Sequence, residues 1–254
     1  MKKPSPKPNG VKTSTPCHSC PLRRIAIFRA FTDEELSFME TFKSGELTVD
    51  PGATILLEGT NSAHVFTVLS GWAFRFKTLE DGRRQILNFA LPGDFMGLQG
   101  SIFDKMQHSV ETLTATVLCV FPREKLWSLF HNHPGLAFDM TWLASREETM
   151  LDEHLLSVGQ RRASERMAYL LLHLFRRAQQ AGLGQKRKVE FPFTQQHLAD
   201  ALGFSIVHTN KTLKRLRATG TFKWAGSRFE VVDEEKLIQL AGNPNLPGGL
   251  RPLL

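Results

Sequence analysis

The stretch at 194–219, TQQHLADALGFSIVHTNKTLKRLRAT, constrains the fold more tightly than any other part of the chain. Thr194 is placed to N-cap a short helix whose Leu198, Ala199 and Leu202 fall on one face. Gly203 stands where the chain must leave that helix through left-handed backbone, a conformation open to a residue without a Cβ. Ser205 then caps a second helix, whose Ile206, Leu213 and Leu216 can pack on the first. The opposite face presents Val207, His208, Asn210, Lys211, Lys214, Arg215 and Arg217. Two short helices joined through glycine at this spacing predict a helix-turn-helix. Beyond it, TFKWAGSRFEVVD reads as two strands around a turn at 225–227, the shape of a wing, and DEEKLIQLAG as a capped last helix.

Charge is concentrated in the same region. Residues 159–230 hold 14 Lys and Arg against four acids, whereas the whole chain carries only +7. The remainder is therefore slightly acidic. A basic segment on such a body predicts a polyanionic partner, where uniform basicity would predict only solubility. In a helix-turn-helix the second helix enters the major groove. Lys211, Lys214, Arg215 and Arg217 then offer phosphate contacts, and Asn210 and Lys211 can pair with base edges. Val207 can meet a thymine methyl, and His208 is equally a base contact or a solvated helix histidine. Thr194, Gln195 and Ser205, at the two helix starts, complete the candidate DNA-binding set.

The rest of the chain has a different texture. From Leu47 to Pro122, short β-branched and aromatic runs recur between turn signals at 50–52, 58–61, 70–71, 80–83 and 92–94. Strands punctuated so regularly predict a small antiparallel barrel or jelly roll. Trp72, Phe74 and Phe76 alternate with other residues, as a half-buried strand requires. The run TDEELSFMETF before it reads as a short helix capped by Thr32.

After Pro122 the pattern is helical. A long helix is expected over 136–158, with Leu136, Met140, Leu143, Met150 and Leu151 near one stripe. Pairing with a second copy and covering the barrel are both open to such a helix, and pairing is the expectation adopted. Glu147 and His154 fall close to the stripe. A hinge is expected at Val158-Gly159, then an amphipathic helix from about Ala163 to Gln179.

Several classes are disfavoured. No window approaches the eighteen apolar residues of a membrane span. The start, MKKPSPKPNGVKTSTP, is basic and Pro-rich without an apolar core, so it reads as a disordered tail and not as an export signal. A cytoplasmic location with reduced cysteines is the expectation. No nucleophile elbow, P-loop or G-x-G-x-x-G is present, so no catalytic residues are assigned and the chain is not expected to be an enzyme.

Taken together, the segments LSGWAFRF, PGDFMG at 92–97, GQRRASERMAYLLLHL and QQHLADALGFSIVHTNKTLKRLR resemble the CRP/FNR superfamily of bacterial transcription regulators. The resemblance spans roughly 17–240 and lies nearer the FNR-like than the cyclic-AMP-binding members. It implies an α+β chain with an N-terminal antiparallel β-roll (17–135), a dimerisation helix (136–158) and a C-terminal winged helix-turn-helix (159–241), between tails at 1–16 and 242–254. It implies a homodimeric activator that binds double-stranded DNA at a palindromic promoter site through a 205–218 recognition helix, engages RNA polymerase and responds to a signal in the β-roll. The competing expectation is a β-roll ligand-binding or interaction module without sequence-specific DNA binding.

Departures from the family pattern bear on the signal. Where cyclic-AMP-binding members place a ribose-binding Glu and a phosphate-binding Arg-Ser pair, this chain has Leu98 and His108-Ser109, so cAMP is not expected as a cofactor. The usual recognition-helix Glu and Arg are replaced by Val207 and Lys211. Cys17 and Cys20 match the first two cluster ligands of oxygen-sensing members, Cys119 matches the last, and the third aligns with Ala26. An iron–sulfur cluster completed by His18, Asp or water, a redox dithiol, a zinc site using His18, and plain packing of inert thiols all remain open.

Overall fold

The computed structural model describes residues 14–244 and 249–254. The expected tail at 1–16 falls mostly outside the described residues; Thr15 is tied down, its N–H donating to Glu46 and its carbonyl accepting from Lys43 Nζ at 2.7 Å. Helix α1, Asp33–Phe42, begins with a full capping box, in which Thr32 Oγ1 accepts from Glu35 N and Glu35 accepts from Thr32 N.

Eight strands follow: β1 (Gly45–Val49), β2 (Thr54–Leu56), β3 (His64–Ser70), β4 (Ala73–Thr78), β5 (Arg84–Ala90), β6 (Phe95–Met96), β7 (Ser109–Thr112) and β8 (Thr116–Pro122), with helix α2 (Leu98–Phe103) between β6 and β7. They form two antiparallel four-stranded sheets, ordered β1-β8-β3-β6 and β2-β7-β4-β5, which is the expected β-roll. Leu56, Phe66, Val68, Ala73, Met96, Val110 and Leu118 fill the space between the sheets. The reversal at Gly71 tolerates no side chain, because a Cβ there would lie 2.6 Å from Ala115 O, and its φ of +93° suits glycine alone.

Helix α3 (Leu126–Asn132) leads into α4, Pro134–Gln160, which is longer at both ends than the expected 136–158. Val158 and Gly159 are still helical. The break comes at Arg161 and Arg162, where Arg161 reaches back to Glu153 at 3.0 Å and Glu165 accepts from Arg162 N. Leu136, Met140, Leu143 and Met150 are buried on this chain's own body, so that stripe covers the β-roll. A different stripe stays exposed, Thr141, Ala144, Glu148, Leu151 and Leu155.

The last unit comprises α5 (Ala163–Gln180), β9 (Gly184–Gln185), β10 (Lys188–Glu190), α6 (Gln195–Leu202), α7 (Ile206–Arg217), β11 (Phe222–Ala225), β12 (Arg228–Val231) and α8 (Glu234–Leu240). Its four strands form one sheet ordered β11-β12-β10-β9. It packs directly on the outer face of β4 and β5. Trp72, Phe74, Ile86 and Phe89 share one apolar cluster with Leu170, Leu174, Phe193, Leu198 and Leu202. Strand β4 is consequently buried on both faces around Phe74, with Ala73 turned into the roll, and the half-buried alternation expected for it does not hold there.

The expectation of a flexible tail over 242–254 also fails at its end. Phe28 and Arg251 form a parallel bridge, Arg251 donates to Asp94 and to Gly93 O, and Leu253 and Leu254 are buried among Val65, Leu69 and Phe121. Two adjacent leucines gain more from that apolar seat than a solvated tail would. Residues 245–248 lie outside the described residues.

Candidate nucleic-acid interface

Local sequence chemistry sets the two interface helices. Thr194 Oγ1 accepts from His197 N at 3.2 Å to start α6, and Gly203, at φ +67°, ends it. Ser205 Oγ accepts from His208 N at 3.2 Å to start α7. Thr209, Thr212, Leu213 and Leu216 form the buried face of α7. Ile206, expected to pack on α6, is 37% exposed; the two threonines fill the place it was assigned.

Every polar residue predicted for the outer face is exposed: His208, Asn210, Lys211, Lys214, Arg215 and Arg217, with Val207 among them. Thr194, Gln195 and Ser205 are exposed on the same motif. No ion pair engages Lys211, Lys214 or Arg215 among the described residues, so their charge is available to phosphate. His208 is not simply solvated, because its ring meets Phe204 edge-on at 4.6 Å. Arg217 lies 5.9 Å from the Trp224 ring, braced against the wing. The wing turns at Gly226 and adds exposed Lys223 and Arg228, two cations that sequence reasoning missed. Their alternation with buried Phe222 and Phe229 on either side of the glycine was the available signal.

Two contacts hold this motif on the β-roll. Arg84 pairs with Asp200 at 2.8 Å, and Gln85 Nε2 donates to Ala201 O at 3.1 Å. Burial, helped by Arg84, keeps His197 below its ordinary pKa beside the Phe74 ring.

Asp94, in the PGD turn between β5 and β6, is the main electrostatic junction. It accepts from Leu91 N at 2.8 Å within its own turn and pairs with Arg177 of α5 and with Arg251 at 2.8 Å. Arg146 of α4 lies 3.9 Å away. Burial alone would raise the Asp94 carboxyl, but the three guanidiniums overcome it and hold the group well below the usual carboxylate range. Beside it lies a cavity of about 350 Å³ whose lining includes Arg75, Leu98, Gln99, His108 and Arg146. Burial, reinforced by Arg75 and Lys77, pushes His108 down to about 4, so the imidazole is neutral at physiological pH. Ser109 Oγ is occupied in accepting from Glu58 N at 3.0 Å.

Cys17 and Cys20 meet the sequence-distant Cys119 in the apolar cluster beneath α1. Burial pushes the Cys119 thiol up to about 12 and raises Cys17, outweighing the nearby Lys43 ammonium. Cys17 Sγ donates weakly to Met39 O, and His18 Nδ1 is paired with Glu40 at 2.7 Å. Among the described residues no three His, Cys, Asp or Glu side chains are grouped to hold a metal ion. Cys17, Cys20 and Cys119, with Ala26 in the third position, do not supply the ligands of a four-ligand cluster or a zinc ion in this arrangement.

Comparison with known proteins agrees with this architecture. Residues 46–133 match the family model for a cyclic nucleotide-binding domain, and residues 165–240 match that for a Crp-like helix-turn-helix domain. The nitrogen fixation regulation protein FixK of Bradyrhizobium diazoefficiens is 28% identical over 89% of this chain and 93% of its own length. The transcriptional activator protein FnrL of Cereibacter sphaeroides is 28% identical over 92% of this chain and 94% of its own. In fold, the structure of FixK2 from Bradyrhizobium japonicum superposes with a TM-score of 0.70 at 24% identity, over 80% of this chain and 98% of that one. With a β-roll, a long helix and a winged helix-turn-helix in the order these relatives share, the chain belongs to the CRP/FNR family of transcription regulators.

Proposed function

We propose that this chain acts in the cytoplasm as a homodimer that binds a palindromic promoter site and activates transcription with RNA polymerase. The observation that carries the reading is the outer face of α7, where an exposed Asn and three cations without an ion pair among the described residues lie on one helix surface, flanked by a basic wing. Lys211, Lys214 and Arg215 neutralise phosphates, Thr194, Gln195 and Ser205 position the two helix starts against the backbone, and Asn210, Val207 and His208 meet base edges. Dimerisation uses the exposed α4 stripe, Thr141, Ala144, Glu148, Leu151 and Leu155, whose alternating spacing of three and four residues is that of a coiled-coil seam. A signal in the β-roll reaches α4 and α5 through Asp94, which both helices touch.

Selection from a pool of random duplexes tests this. The full chain should enrich a palindrome with half-sites about one helical turn apart. Enrichment of no sequence would support an interaction module instead and end the regulator reading.

A redox signal is a second reading, favoured by the convergence of Cys17, Cys20 and Cys119. It requires promoter affinity to change between reducing and oxidising conditions and the Cys17→Ser/Cys20→Ser variant to lose that change. Equal affinity in both conditions rules it out.

A further inference from the structure

A second cavity, of about 460 Å³, opens between α4, α5, the β9–β10 turn and α8. It faces away from the α4 seam, since Arg146 and Met150 line it from the side of the helix that covers the chain's own body. It is also remote from the recognition surface, because no residue of α6, α7 or the wing turn lines it.

Its lining is strongly cationic. Arg146, Arg176, Arg177, Lys186 and Arg187 surround it with one carboxylate, Glu234. Glu234 is taken by Arg176 at 2.8 Å, and Arg177 is matched by Asp94. Lys186 and Arg187 have no carboxylate partner among the described residues. Arg146, only 11% exposed along its side chain, has one ion pair, to an Asp94 oxygen 3.9 Å away that Arg251 already holds at 2.8 Å. Burial, worsened by the Arg251 and Arg177 charges, drags the Arg146 guanidinium down to about 9. A shielded guanidinium whose one carboxylate is distant and shared gains from a second anion.

We propose that this cleft is a binding site for a phosphate-bearing small molecule of nucleotide size. Three cations without a matched carboxylate suit a multiply charged anion better than a single carboxylate. Planar guanidiniums at Arg146 and Arg187 match phosphate oxygens in pairs, and Lys186 adds a point charge at the mouth. The volume lies within the usual range for small-ligand sites.

Calorimetric titration of the full chain with inorganic pyrophosphate at constant ionic strength tests the assignment. We expect saturable binding that weakens about tenfold or more in Lys186→Glu/Arg187→Glu, two exposed positions of which Arg187 gives up one surface bond, from Nη1 to Val232 O. Arg146→Gln should weaken binding comparably, with its unfolding transition recorded alongside. Lys211→Ala/Lys214→Ala, on the recognition helix, should bind pyrophosphate as the unaltered chain does. Binding that survives the hairpin substitutions, or is lost with the recognition-helix pair, places the anion elsewhere and overturns the proposal. Citrate binding as tightly as pyrophosphate overturns the phosphate assignment, and absence of saturable binding overturns the site altogether.

Discussion

The Asp94 carboxylate and the Arg177 guanidinium, 83 residues apart, form a buried ion pair that joins a β-roll turn to the first helix of the DNA-binding unit. Each side chain is 5% exposed, so neither charge has water to fall back on. Replacing Asp94 with Asn strands three guanidiniums around a neutral amide. The expected cost is roughly 3–5 kcal/mol of unfolding free energy. Denaturant unfolding of Asp94→Asn measures it; a loss below ~1 kcal/mol would mean that the junction is not a structural one.

On the recognition helix, phosphate and base contacts should separate experimentally. Lys214→Ala should lower the salt dependence of binding to a selected site by about one unit while leaving sequence preference intact. Asn210→Ala should instead flatten preference at one position in each half-site. Identical salt slopes and preferences in all three proteins would remove α7 from the interface.

Leu155 is 72% exposed on α4 and contributes little to the packing of its own chain. Leu155→Glu introduces a charge into the proposed seam, facing its symmetry mate. Light scattering should show the mass fall to that of one chain of 28.7 kDa at micromolar concentration, with far-UV dichroism unchanged. A dimer that persists would move the interface to another surface.

Stability should fall below neutral pH in part through His108. Its folded-state pKa, about 4, lies below the unfolded value near 6.5, so between these limits the unfolded chain binds the extra proton. The native state is therefore fully favoured above pH 6.5 and loses ground as pH falls toward 4. From pH 7 to 5 the loss from this residue is about 2 kcal/mol. His108→Gln should be flatter over that window in denaturant melts repeated at each pH. An unchanged slope would mean that native His108 binds its proton as readily as the unfolded chain does.

Local features were the legible ones. Thr32, Thr194, Ser205 and Gly203 act on neighbours three or four residues away, so their roles could be read directly from spacing. The β-roll was readable for the same reason, since its reversals are short and carry their own glycines. Long-range partnerships were not. PGD at 92–94 announced a turn, but nothing near it in sequence names Arg146, Arg177 or Arg251 as partners. The WAFRF segment shows why alternation can mislead: Trp72 meets Phe191 and Phe193, and Phe74 meets His197, all more than a hundred positions later. At the candidate interface, which residues of α7 face outward was legible, while Ile206 was misplaced because an apolar residue in the first helical turn need not face the core.

Trp72 sits where the β-roll meets the DNA-binding unit, 5% exposed and edge-on to Phe193 at 5.2 Å. The molecule thus carries its own optical gauge of domain separation. Lifting the winged unit from β4 and β5 would wet this indole and red-shift its emission, over a background from Trp127, already 81% exposed, and from the half-buried Trp142 and Trp224. A regulator of this build can be watched changing shape in solution without a dye, a label or an added cysteine.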